Sequence, residues 1–245
     1  MASLEKHKNT AVLRLDNPPL NFLVQPEFID KQTLSDFLTD ESITGLIIAG
    51  VGRHFSAGAE LEGLLRKAAD FNFLEEEMKR GRELLALIEN LDIPVIAAIN
   101  GACFGGGLEI ALSCHIRLCS ERSLFAFPEV NHNLMPGLGG TVRLPFTAGI
   151  SESIIMMLGG DTINAEKALS LGIVYAVESG DSLVAAFELM RKMTEDKPKK
   201  VITSIMRAIH NARQMSYSDA LAAETQLFCE LAVDEASRIV KNPIK

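Results

Sequence analysis

The sequence predicts an α/β fold with a helical C-terminal region, and three observations lead there. Short apolar runs alternate with helix-patterned segments up to about Gly180, the order expected of strand–helix–strand units. From Asp181 onward every segment has helical spacing, with no strand-like run between segments. Glycine or proline marks most junctions, so the elements are separately bounded. On this reading the 245 residues divide into an α/β core over 1–180 and a helical region over 181–245.

Thr10–Asp16 (TAVLRLD) alternates apolar and polar residues, as a half-buried strand does. The following NPPLNF is a turn, because two prolines do not extend a central strand. Residues 27–38 (EFIDKQTLSDFL) have helical spacing, and Thr44–Gly50 (TGLIIAG) reads as a buried strand that stops at glycine. HFSAGAELEGLL (54–65) is a loop of small residues running into a helix start. Residues 73–91 form the clearest amphipathic helix, ending before Pro94, and PVIAAIN (94–100) is the next buried strand. A glycine triplet then opens another helix, and 115–121 and 123–130 read as short strands. Helices follow over 137–149, 151–160 and 163–172, the last two closed by glycine. IVYAVE (173–178) is the final strand, and 182–198, 199–214 and 217–240 are helical.

Composition narrows the function. Hydrophobic residues make up 47% of the chain, enough for a sizeable core. A net charge of −8 argues against a non-specific grip on nucleic acid or an anionic membrane. Apolar runs such as PVIAAI fall far short of the roughly 20 residues that span a bilayer. The N-terminus MASLEKHKNT lacks the apolar segment of a signal peptide, so a soluble, cytoplasmic protein is expected. Cys103, Cys114, Cys119 and Cys229 form no CxxC pair, and the spacing around His115 does not suit zinc. Reduced thiols, mostly buried, are expected instead, with no metal.

Two places share one design, GLIIAGVGRHFSAGAEL and PVIAAINGACFGGGLEI: an apolar strand ends, small residues follow, and a helix begins. Small residues let backbone approach a ligand, and a helix N-terminus presents unpaired N–H groups. Two such loops facing each other aim two donors at one oxygen, an oxyanion hole. A dinucleotide site is disfavoured, because G-x-G-x-x-G is absent, and a phosphate loop because no Gly-Lys-Ser/Thr follows the glycines. Close helix–strand packing explains one glycine of Gly105–Gly107 and leaves the others open.

In this order and spacing, HFSAGAEL, PVIAAINGACFGGGLEIALSC, FAFPEV and MPGLGGTVRLP resemble the enoyl-CoA hydratase/isomerase (crotonase) superfamily. GGDTINAEKALSLGIV and NPPLN are similar to further segments of it, so the likeness covers most of Asp16 to Val177. The resemblance implies a crotonase-like spiral of ββα units with a C-terminal helical trimerisation region, assembled as a trimer or a dimer of trimers. It implies an enoyl-thioester hydratase, with the acyl-CoA as substrate and no separate cofactor. By the same resemblance the oxyanion amides belong to Ala59 and Gly106, and the catalytic glutamates are Glu109 and Glu129. Ala57, Gly58, Leu61, Gly105, Gly137 and His132 are the expected substrate-binding positions. Carboxylates crowded into an apolar site have raised pKa values, while a helix N-terminus favours ionised Glu109, so Glu129 is the expected proton donor.

The chain departs from the family pattern at three places. Glu62 stands where many relatives carry a basic residue for coenzyme A phosphates, leaving Arg66 or Lys67 as substitutes. The tail EASRIVKNPIK is shorter than usual, and His115 stands where relatives often have aspartate. A Δ3,Δ2-enoyl-CoA isomerase, a dehydratase acting on an acyl-carrier thioester, and a non-catalytic assembly subunit remain as alternatives.

Overall fold

The structure is a computed structural model that describes residues 2–241; the last four residues of the expected helical tail lie outside the described residues. The strands are β1 (Ala2–His7), β2 (Thr10–Leu15), β3 (Gly45–Gly50), β4 (Val95–Ile99), β5 (Ala102–Phe104), β6 (Ile116–Ser120), β7 (Leu124–Ala126), β8 (Ile163–Asn164) and β9 (Ala176–Glu178). Six of them form one sheet in the order β1-β2-β3-β4-β6-β9, and β5-β7-β8 form a small second one. Apart from the antiparallel β1–β2 hairpin, every pair in the large sheet is parallel.

Side chains alternate across the large sheet. Leu13, Leu46, Ile48, Val95, Ala97 and Ile99 enter one buried cluster, and Val12, Ile47, Ala49, Ile96, Ala98 and Leu118 enter another on the opposite face. With both faces covered, these strands read as unbroken apolar runs.

The helices are α1 (Lys31–Leu38), α2 (Leu61–Lys67), α3 (Phe71–Glu89), α4 (Gly106–Ser113), α5 (Gly140–Ala148), α6 (Ile150–Gly159), α7 (Ala165–Ser170), α8 (Ser182–Thr194), α9 (Lys199–Gln214) and α10 (Tyr217–Lys241). Leu34 of α1, Leu84, Leu85 and Ile88 of α3 and all of α4 are buried on the first face. Ala186 and Met190 of α8 cover the second face, where the end of the Met190 side chain occupies the space beside Gly45. α10 packs on α9 and keeps Phe228 and Val233 exposed.

The expected alternation is present, with local differences. β1 is an additional strand that the pattern does not announce, because an edge strand with charged residues carries no apolar run. The helix expected from residue 27 starts at Lys31, since the Asp30 side chain accepts from Thr33 N–H and caps it. The strand expected over 123–130 stops at Ala126, and Pro128 opens a 3₁₀ helix to His132. Residues 163–164 are strand rather than helix, with Asn164 then capping α7. No helix among the described residues is long and apolar enough to cross a membrane.

Candidate active site

Because β3 and β4 are neighbouring parallel strands, the segments leaving their carboxyl ends emerge side by side, the usual place for a site in such sheets. These segments are the two small-residue loops, and they pair with each other. Ser56 bridges Cys103, Ser56 N–H donates to the Ala102 carbonyl at 3.1 Å, and Phe104 N–H donates to the Ser56 carbonyl at 2.9 Å.

The glycine triplet now divides into separate roles. A Cβ on Gly107 would stand 2.5 Å from the Ser56 carbonyl oxygen, so the loops touch only because it is absent. Gly105 has φ of +50°, and a Cβ there would lie 2.7 Å from Glu129 Oε1. A Cβ on Gly106 would lie 3.0 Å from Leu23 Cδ1 and 3.9 Å from the Ala59 nitrogen, which places the two expected donor residues together.

The amides of Ala57, Gly58 and Gly105 are spent on the loops: they donate to the Leu20 carbonyl, Ser56 Oγ and the Ala126 carbonyl. Ala59 and Gly106 N–H donate to no protein acceptor among the described residues. Both residues line one cavity of about 90 Å³ with Glu109, Glu129, Gly137 and Leu138.

Glu109 sits in the first turn of α4 and is 2% exposed. Its Oε1 accepts from Leu138 N–H at 2.7 Å and Gly140 N–H at 2.8 Å. Burial raises its pKa despite those two donors, so the ionised form is less favoured than the helix N-terminus alone suggests. Glu129 reaches the cavity because parallel pairing of β5 with β7 carries Pro128–His132 back beside Gly105. Its Oε2 is buried without a hydrogen-bond partner, and burial pushes its pKa up to about 7, with the Glu109 charge adding in the same direction. Such a site has donors for a developing oxyanion and two carboxyls to move protons.

Five of the expected residues, Ala59, Gly106, Glu109, Glu129 and Gly137, therefore line one cavity. Ala57, Gly58 and Gly105 build the loops around it, whereas Leu61, which opens α2, and the exposed His132 are not among its lining residues. His115 stands apart: its Nδ1 accepts from Val95 N–H, its Nε2 faces His210, and burial lowers its pKa to about 4. Cys103, Cys114 and Cys119 are buried free thiols, and Cys229 is exposed. Among the described residues no cluster of three or more His, Cys, Asp or Glu is placed to hold a metal.

The profile of the enoyl-CoA hydratase/isomerase family matches residues 5–241. The chain belongs to that family. It is 34% identical over 241 residues to a probable enoyl-CoA hydratase of Bacillus subtilis, covering 96% of this chain and 92% of the relative. A fatty acid oxidation complex subunit alpha of Shewanella frigidimarina is 40% identical over 79% of this chain, which spans 28% of that subunit. Among solved structures, DspI of Pseudomonas aeruginosa is 33% identical with a TM-score of 0.83, over 94% of this chain and 88% of that one. An enoyl-CoA hydratase of Geobacillus kaustophilus is 28% identical with a TM-score of 0.86, over 94% and 88%. The chain is thus an enzyme of the hydratase/isomerase family with its crotonase-type fold.

Several residues that shape this family site went unread in the sequence. Buried Asn21 donates from Nδ2 to the Val51 and His54 carbonyls, and Ser56 Oγ donates to the Asn21 carbonyl. Arg143 donates to the Leu138 carbonyl and to Glu89, fixing the segment whose amides reach Glu109. Asn21 lies in NPPLN and Arg143 in MPGLGGTVRLP, so the motifs point at them, but Val51, His54 and Glu89, which they hold, are distant in sequence.

Proposed function

We propose that this chain hydrates α,β-unsaturated acyl-CoA thioesters, reversibly, through an enolate held by the Ala59 and Gly106 amides. The observation that carries this reading is the pair Glu109 and Glu129 in one cavity with two amides that have no protein acceptor among the described residues. Glu109, oriented by Leu138 and Gly140 N–H, takes a proton from water as the water oxygen bonds to Cβ. The Cα–Cβ electron pair moves toward the thioester oxygen, where the two amides receive the charge. Glu129, with its pKa raised to about 7, keeps the proton that Cα then takes. A groove along Leu15–Phe28 shares Leu23, Val24 and Gln25 with the cavity and gives the carrier arm a path outward.

Loss of enoyl absorbance with crotonyl-CoA tests the reading. Glu109→Gln and Glu129→Gln should each lower kcat by about 10²–10⁴-fold. Activity retained in the double variant assigns the wrong residues, and a shifted double bond without water addition makes the enzyme an isomerase.

We further propose assembly as a trimer or dimer of trimers, supported by the exposed apolar side chains Phe146, Ile150, Ile155 and Leu158 of α5 and α6 and by Phe228 of α10. Sedimentation equilibrium should give a mass of three or six chains; a single-chain mass contradicts it. A cytoplasmic location is inferred from four free cysteines, three of them buried.

A further inference from the structure

Lys67 crosses the cavity wall that the mechanism does not use. Its Nζ donates to the Val24 carbonyl at 3.2 Å and to Glu77 Oε2 at 2.9 Å, and all three residues line the cavity. Glu77, on α3, is 7% exposed and also accepts from Arg80. α2, which carries Lys67, has no buried residue, so its two polar partners hold the ammonium in place. The same lining carries the apolar side chains Leu64, Leu74, Met78, Met135 and Leu138, with Glu60, Glu109 and Glu129 as its other carboxyls.

An alkyl chain that grows into this wall meets two charges that it does not solvate. It either lies against them or parts them, leaving nearly buried Glu77 with Arg80 alone, and a carboxylate that loses a partner while kept from water is destabilised. Lys67 and Glu77 line the same cavity as Ala59, Gly106, Glu109 and Glu129, so an acyl group seated at the two amides shares its walls with the pair.

We infer that the Lys67–Glu77 pair is a specificity determinant, admitting short acyl groups and excluding long apolar ones. The inference rests on the reading of the cavity as a thioester site.

Calorimetric titration with butyryl-CoA and decanoyl-CoA, saturated thioesters that cannot be hydrated, measures this apart from catalysis. Lys67→Met keeps an aliphatic stem and removes the charge; Lys67→Arg keeps the charge. The affinity for decanoyl-CoA relative to butyryl-CoA should rise at least about tenfold in Lys67→Met and stay at the wild-type ratio in Lys67→Arg. A ratio that moves less than about twofold in Lys67→Met, or rises equally in both variants, overturns the inference and leaves the thioester reading standing. If neither thioester binds the wild type, the thioester reading falls and the inference falls with it.

Discussion

At the scale of single residues, the two carboxyls differ in what surrounds them. Glu109 accepts from two backbone amides, whereas Glu129 keeps one oxygen buried with no partner. Burial raises Glu129 from its ordinary 4.5 to about 7, so the folded protein holds a proton that the unfolded chain has released between those values. Stability from the neutral carboxyl is thus fully present below pH 4.5 and is lost as pH rises through 7. His115, held down at about 4, acts in the opposite sense between 6.5 and 4, and Glu109 is raised as well, so the wild-type curve alone mixes several groups. The wild type minus Glu129→Gln difference in unfolding free energy isolates the carboxyl. Urea titrations at several pH values should show it falling from pH 4.5 to 7; a flat difference contradicts the buried placement.

At the scale of elements, the site depends on two loops held backbone to backbone. The Phe104-to-Ser56 hydrogen bond and the Ser56–Cys103 bridge leave no space for a side chain at position 107. Gly107→Ala should lower stability by about 1–3 kcal/mol, because the neighbour it meets is backbone rather than a flexible chain end. It should also depress crotonyl-CoA hydration further, as the Ala59 and Gly106 amides move apart. Gly180→Ala is the control, since nothing lies within 4 Å of a Cβ there. Equal melting temperatures for the two variants contradict the contact. Motifs in one order make this loop pair legible in the sequence, yet only the β3–β4 adjacency sets the loops against each other.

At the scale of the whole molecule, the sheet needs covers on both faces to bury its apolar runs. One is supplied by α1, α3 and α4, and the other by α8, from beyond the point where the sequence turns wholly helical. Met190 is fully buried against Gly45 and the second apolar face. Met190→Ala should cost about 2–5 kcal/mol, a fall in Tm of very roughly 2–4 °C for each kcal/mol, read by calorimetry. A change below about 1 kcal/mol means that α8 is not a true cover.

By itself the sequence determined the local facts: which runs are apolar at strand spacing, where glycine and proline end elements, and which motifs carry the family resemblance. These are properties of neighbouring residues, and backbone sterics and burial act on neighbours directly. It did not reveal β1 as an edge strand, the turn of the chain into a 3₁₀ helix at Pro128, or the positions of Asn21 and Arg143 as supports. The cavity lining is built without His132 and Leu61. Lys67 gave only a hint of phosphate binding, and its partner Glu77 lies ten residues on, around a helix junction. The supports of Asn21 and the Glu89 partner of Arg143 depend on contacts between segments far apart in the chain. The glycine triplet shows the division: its composition announced a close approach, and only tertiary packing assigned Gly105 to Glu129, Gly106 to Ala59 and Gly107 to Ser56.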